Sequence, residues 1–224
     1  MTLPIEHLAD TARDPAVRGF LHRPVNANGN GMVLTHGAGS NAQAPLLVAL
    51  ADALCGEGFT VLRFNLPYRQ ERLQGPPRPG DAARDRQGLR NTVDVMRTLV
   101  AGRIFLGGHS YGGRQSSMLA AEDPGLVGGL LLLSYPLHPP RKPEQLRTQH
   151  LTQLQTPALF VSGTRDPFGS IEELREALKL IPARTELLTV EGAGHDLDFR
   201  KKKAGGELVA LDQRILQAFQ RFFG

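Results

Sequence analysis

Residues 103–113 read Arg103-Ile104-Phe105-Leu106-Gly107-Gly108-His109-Ser110-Tyr111-Gly112-Gly113, and this stretch decides the fold. Ile104 to Leu106 is a short apolar run of strand type that leads directly into a Gly-x-Ser-x-Gly pattern centred on Ser110. Arg114 to Ala121 then reads as a helix. The pattern alone arises by accident in roughly one chain in ten of this length at average residue usage. The strand before it and the helix after it give it meaning, because together they make a strand–turn–helix elbow. Such a turn brings the positions two before and two after the serine into collision, so Gly108 and Gly112 leave out the side chains. Gly113 lets the helix pack closely, and the serine hydroxyl projects at the sheet edge.

Working outward, apolar runs and helical patterns alternate along the chain. Gly31–His36, Phe59–Phe64, Leu130–Ser134, Ala158–Ser162 and Glu186–Val190 read as strands. Ala44–Leu54, the second part of Asp81–Leu99, Ile171–Leu180 and Leu208–Phe223 read as helices. Strands without polar alternation are buried on both faces, which means a mostly parallel sheet with helices on both sides. The predicted architecture is a doubly wound α/β fold, in one domain spanning residues 1–224. Leu66–Gly88 and Tyr135–Gln149, with four prolines each, read as long loops. The second is too short and too proline-rich for a helical lid.

Composition narrows the function. Of 224 residues, 41% are hydrophobic and 21% charged, near globular averages, so most of the chain is expected to be ordered. The net charge of +4 comes from scattered arginines with no recognition motif, so no nucleic-acid partner is expected. The single cysteine, Cys55, sits in an apolar-periodic stretch and reads as a buried thiol in a reducing compartment. The first residues lack the pattern of a secretory signal, and the longest apolar run is too short for a membrane span. A cytoplasmic protein with no membrane partner is expected; the oligomeric state stays open.

A serine hydroxyl needs a base, and the base needs an acid to fix its tautomer. In an elbow fold the chain order is serine, acid, histidine. Leu159–Asp166 places an acid just past one strand, and Leu187–His195 places a histidine just past the next. The candidate triad is therefore Ser110, Asp166 and His195. Asp166 also reads as a cap for the helix at Ile171, and Glu191 is the alternative acid. His138 and His150 precede the acid and have the wrong order. No metal-ligand spacing is present, so neither metal nor cofactor is expected.

A developing oxyanion needs two backbone N–H donors. One is expected from Tyr111, after the serine. The other is expected from Ala38, or Gly39 next to it, in the small-residue loop His36-Gly37-Ala38-Gly39-Ser40. This loop lacks the Lys and Ser/Thr of a phosphate-binding loop. His36, Gly37, Tyr68 and His109 are expected to line the substrate site. Arg141, Lys142 and Arg147 of one loop, facing Arg69, Arg72 and Arg78 of the other, are expected to attract an anionic acyl group.

Several segments together resemble the α/β-hydrolase superfamily. They are the His36-Gly37-Ala38-Gly39 loop, Arg63-Phe64-Asn65-Leu66-Pro67-Tyr68, the Ser110 elbow, Tyr135-Pro136-Leu137-His138-Pro139-Pro140 and Gly163-Thr164-Arg165-Asp166-Pro167-Phe168-Gly169. More closely, they resemble the small dienelactone hydrolase-related branch that includes testis-expressed protein 30 and NSL complex subunit 3. The likeness runs from about residue 15 to the C-terminus. It implies cofactor-free hydrolysis of a small ester or thioester; a non-catalytic scaffold or complex subunit is the alternative reading, since a fold does not fix a function.

Overall fold

The structure, a computed structural model, describes residues 4–197 and 210–224. Eight strands form one sheet: β1 (Glu6–Asp10), β2 (Val17–His22), β3 (Gly31–Thr35), β4 (Thr60–Phe64), β5 (Ile104–His109), β6 (Gly129–Leu133), β7 (Ala158–Gly163) and β8 (Thr185–Val190). Their order is β1-β2-β4-β3-β5-β6-β7-β8. The pairs from β4 to β8 are parallel, while β1 and β2 are antiparallel. Among the described residues six helices cover it: α1 (Pro45–Gly56), α2 (Pro67–Glu71), α3 (Asp81–Leu99), α4 (Tyr111–Glu122), α5 (Ile171–Leu178) and α6 (Leu211–Phe223).

Strand side chains alternate between two cores, as a period of two requires. Met32, Leu34, Phe105, Leu131, Leu133, Leu159 and Val161 meet α1 and α6. Val33, Leu106, Leu130, Leu132 and Phe160 meet α3, α4 and α5. Central strands apolar at every position are thus explained by helices on both faces, and the doubly wound fold read from the sequence is present. Between β6 and β7 the described chain forms only a three-residue 3-10 turn at Leu151–Gln153, so no helical lid stands there. Among the described residues no helix is long and apolar enough to cross a membrane.

The chain departs from expectation in two places, and one alternative reading falls away. The β1–β2 hairpin extends the sheet, and its outer strand is mostly exposed and polar, without the apolar run that marks the inner strands. Leu66–Gly88 is not one loop: Pro67 opens α2, and α3 begins at Asp81, which accepts from Arg72 Nη2 and the Arg78 N–H at 2.6 Å each. Finally, the cap of α5 is Ser170, in a capping box with Glu173, which leaves Asp166 free of that task. The expected start of the last helix at Leu208 lies outside the described residues.

Candidate active site

β5 ends at His109 and α4 begins at Tyr111, with Ser110 alone making the turn at φ 50° and ψ −116°. A non-glycine residue held there stores strain of about 1–3 kcal/mol and persists only when its surroundings fix it. Here the Ser110 N–H donates to the Leu133 carbonyl at 2.8 Å, and the Ser110 carbonyl accepts from Arg114 N at 2.9 Å. A Cβ at Gly108 would lie 2.8 Å from the Gly112 carbonyl carbon, and one at Gly112 would lie 2.5 Å from the His36 oxygen. The elbow closes only because both positions lack side chains.

His195 stands over the serine. Its Nε2 is 2.8 Å from Ser110 Oγ, and its Nδ1 is 2.9 and 3.0 Å from the two oxygens of Asp166. A carboxylate only accepts, so Nδ1 carries the proton and Nε2 is left as the acceptor for the serine hydroxyl. Asp166 also accepts from the Phe168 N–H at 2.9 Å. The Phe168 ring lies on the imidazole, centroids 4.1 Å apart. Glu191 is not at the ring; its carboxylate accepts from Thr164 Oγ1 at 3.4 Å.

The loops carrying acid and base are clipped together. Thr164 N donates to the Val190 carbonyl at 3.1 Å, Arg165 N to the Ala193 carbonyl at 2.9 Å, and Gly192 N to Thr164 Oγ1 at 2.8 Å. The approach is so close that a Cβ at Gly163 would sit 2.2 Å from the Ala193 oxygen.

The His36–Ser40 loop passes beside the serine: a Cβ at Gly37 would lie 3.5 Å from Ser110 Cβ. Behind it, the Gly37 carbonyl accepts from His36 Nδ1 at 2.9 Å, Ser40 N at 3.1 Å and Tyr68 Oη at 3.3 Å. The Ala38 carbonyl accepts from Tyr68 Oη at 2.9 Å and Arg69 Nη2 at 3.1 Å. In a trans peptide the N–H points opposite to the C=O. The N–H groups of Ala38 and Gly39 therefore turn away from Tyr68 and Arg69. Tyr111 opens α4, so its N–H is one of those a helix leaves without an intrahelical acceptor.

Of the four residues expected to line the substrate site, Gly37 and His109 border a cavity. The cavity, of about 290 Å³, is walled by Pro45, Leu46 and Leu47, with Gly37, Ser40 and His109 at its polar end. The His109 Nε2 donates to the His195 carbonyl at 2.8 Å, and burial lowers its pKa. The other two do not line it. His36 is fully buried, and its Nε2 accepts from the Leu66 N–H at 3.1 Å. With Nδ1 donating and Nε2 accepting, the ring must be neutral, and burial pulls its pKa down to about 4. Tyr68 is 2% exposed, with burial raising its pKa to about 12. Both brace the loop from behind, because strand-end and helix-start side chains here point inward.

Two of the six basic residues expected to attract an anionic acyl group are otherwise engaged. Arg69 is buried and donates to the carbonyls of Ala38, Ser40, Arg72 and Gly75, while Arg72 pairs with Asp81. The Arg69 guanidinium ties four backbone carbonyls together, and that of Arg72 holds the start of α3. Sequence reasoning missed Phe168 and the buried Asp85. The second had a signal: it falls one turn before Leu89 on the apolar face of α3, an unusual place for a charge.

Comparison with known proteins follows this geometry. The chain is 30% identical over 134 residues to a Salmonella typhimurium LT2 protein provisionally named carboxymethylenebutenolidase, covering 55% of this chain and 48% of that one. It spans about half the length of the curated relatives it matches. The fold matches the dienelactone hydrolase of Anabaena variabilis with a TM-score of 0.74 at 20% identity, over 99% of each chain. It matches a lidless serine hydrolase of Xanthomonas campestris with a TM-score of 0.73 at 18% identity, over 99% of this chain and 97% of that one. The profile described as the alpha/beta hydrolase domain matches residues 28–223. With six of the eight strands and all six helices of the described residues inside that span, the chain belongs to the α/β-hydrolase domain family.

Proposed function

We propose that the protein is a serine hydrolase that cleaves a small ester or thioester through an acyl-enzyme on Ser110. The observation that carries this reading is the unbroken relay from Ser110 Oγ through His195 to Asp166, with contacts of 2.8 and 2.9 Å. Ser110 Oγ attacks the acyl carbon while His195 Nε2 takes its proton. Asp166 stabilises the imidazolium. Charge on the carbonyl oxygen goes to the N–H groups of Tyr111 and of Ala38 or Gly39. His195 then returns the proton to the departing oxygen or sulfur. Water, activated by the same base, releases the acid.

The cavity lies at the small end of ligand sites and has an apolar wall, which suits a short acyl or alcohol group. The name carboxymethylenebutenolidase, carried by relatives, fits hydrolysis of a small ester bond. One domain holds every element of the site. A cytoplasmic location accords with the single buried thiol, Cys55. Kinship with the testis-expressed protein 30 branch rests on the loop motifs.

A fluorophosphonate probe tests the reading without knowledge of the substrate. The wild type is expected to label at Ser110 and to hydrolyse p-nitrophenyl butyrate, and Ser110→Ala to do neither. Wild-type protein that neither labels nor hydrolyses would return the scaffold reading.

A further inference from the structure

We propose that Asp85 is a positioning residue that ties the two donor segments of the oxyanion hole to one another; the proposal rests on the hydrolase reading above. Asp85 lies on α3, away from substrate, and is fully buried. Its two oxygens serve two different segments. Oδ2 accepts from Tyr111 Oη at 2.7 Å, and Oδ1 accepts from the Tyr68 N–H at 3.1 Å.

Tyr111 supplies one candidate oxyanion donor from its own backbone. Tyr68 holds the other segment, since its hydroxyl donates to the Ala38 and Gly37 carbonyls. The two rings also meet edge to face, centroids 5.9 Å apart at 88°. A single carboxylate thus joins α4 to α2 and, through Tyr68, to the His36–Ser40 loop. Without it, the helix start and the loop are held only by separate contacts, and the gap between their N–H groups loses its common reference. Oxyanion stabilisation depends on that gap, because donors set before the reaction cost no reorganisation during it.

A buried carboxylate is costly, and burial raises the Asp85 pKa. An apolar side chain there would avoid that cost but leave the Tyr68 N–H and the Tyr111 hydroxyl without their acceptor, so the carboxylate is bound to these two groups. The tyrosine side chain also spaces the negative charge from the site where the oxyanion forms. The arrangement therefore suits orientation of the donors and keeps like charge at a distance.

The test uses Tyr111→Phe, Asp85→Ala and Asp85→Asn, with p-nitrophenyl butyrate as substrate and butylboronic acid as a tetrahedral mimic. Tyr111→Phe keeps the backbone N–H and removes only the hydroxyl. Asp85→Asn can still accept from Tyr68 N and donate to Tyr111 Oη. Tyr111→Phe and Asp85→Ala are expected to lower kcat by about 10- to 100-fold, less than or equal to the loss of one oxyanion donor. KM should move far less, and the boronate Ki should rise in step with the fall in kcat. Asp85→Asn should recover most of the activity. The double variant Asp85→Ala/Tyr111→Phe should be no worse than Asp85→Ala, since the contact that Tyr111→Phe removes is already broken in Asp85→Ala. A merely structural role would lower the melting temperature without weakening boronate binding by the folded enzyme, and that result overturns the proposal. If Asp85→Ala fails to fold, Tyr111→Phe decides: wild-type kcat and boronate affinity overturn it. A wild type inert to both fluorophosphonate and boronate takes down the hydrolase reading and this proposal with it.

Discussion

The Phe168 ring lies against the His195 imidazole with its plane tilted by 31° and its centroid 4.1 Å away. Asp166 grips one edge of the imidazole, and Phe168 covers a face. An in-plane hydrogen bond leaves the ring free to rock about its own axis, and the aromatic contact opposes that motion. Such a contact is worth about 0.5–1.5 kcal/mol. Phe168→Ala is therefore expected to lower kcat about three- to tenfold while leaving the protein folded. Steady-state kinetics beside a thermal melt checks this; an unchanged kcat would show that Asp166 alone orients the base.

Asp166→Ala and Glu191→Gln separate the two candidate acids. Losing a member of the relay is expected to cost several powers of ten, on the order of 10⁴ in kcat. Glu191→Gln should stay within about threefold of wild type, because its carboxylate faces Thr164 and not the imidazole. Comparable losses in both variants would reject the assignment of Asp166.

Gly37→Ala probes the loop beside the serine. The new methyl would sit 2.9 Å from His109 Nδ1 and 3.5 Å from Ser110 Cβ. Either the loop retreats or the His109 ring moves, and with it the carbonyl of His195 that it holds. Turnover is expected to fall by about 100-fold, the scale of one misplaced oxyanion donor. The fold should survive, since the loop lies at the sheet edge outside both cores. Near-wild-type turnover in a folded variant would place the substrate carbonyl elsewhere.

His36 sets an acid limit on stability. Its ring is neutral when folded, with a pKa pulled down to about 4 by burial, against 6.5 for the free side chain. Between these values the unfolded chain binds the proton and the folded chain does not, so stability falls as pH falls. The His36 contribution is complete above about pH 7 and erodes from about 6.5 towards 4. Its loss is on the order of 3 kcal/mol below that range. His150, also lowered to about 4 by burial and by Arg114, acts in the same direction. Denaturant titrations from pH 7.5 to 4.5 should show this decline, and a flat profile would mean that His36 is charged when folded.

The sequence disclosed the parts of the fold whose signal is local. Leu130–Leu133 and Ala158–Val161 announce buried strands because every position is apolar, and Gly108 and Gly112 announce a turn because nothing larger fits. The order of Ser110, Asp166 and His195 followed from where strands end. The β1–β2 hairpin gave no such signal, since Glu6–Asp10 is a polar edge strand defined by its partner. The five residues of α2 were hidden by the prolines around them. For His36 and Tyr68 the residue types drew notice, but the direction of each side chain depends on partners brought up by the fold, the Leu66 N–H for His36 and the Gly37 and Ala38 carbonyls for Tyr68. Asp85 acquires its partners only once α3 lies across the elbow, so no sequence spacing reveals them.

The clip between Thr164–Arg165 and Gly192–Ala193 has one more effect. It makes the acid and the base travel together. Breathing of the sheet between β6 and β7 would widen the gap from His195 to Ser110 and leave the gap from His195 to Asp166 unchanged. The site is thus divided into a half that carries Ser110 and a half that carries Asp166 and His195, joined by the β6–β7 ladder and by the hydrogen bonds of His195 to Ser110 and His109. Changes to the walls around Pro45–Leu47 or to the loop after β6 would therefore leave the Asp166–His195 pair in register.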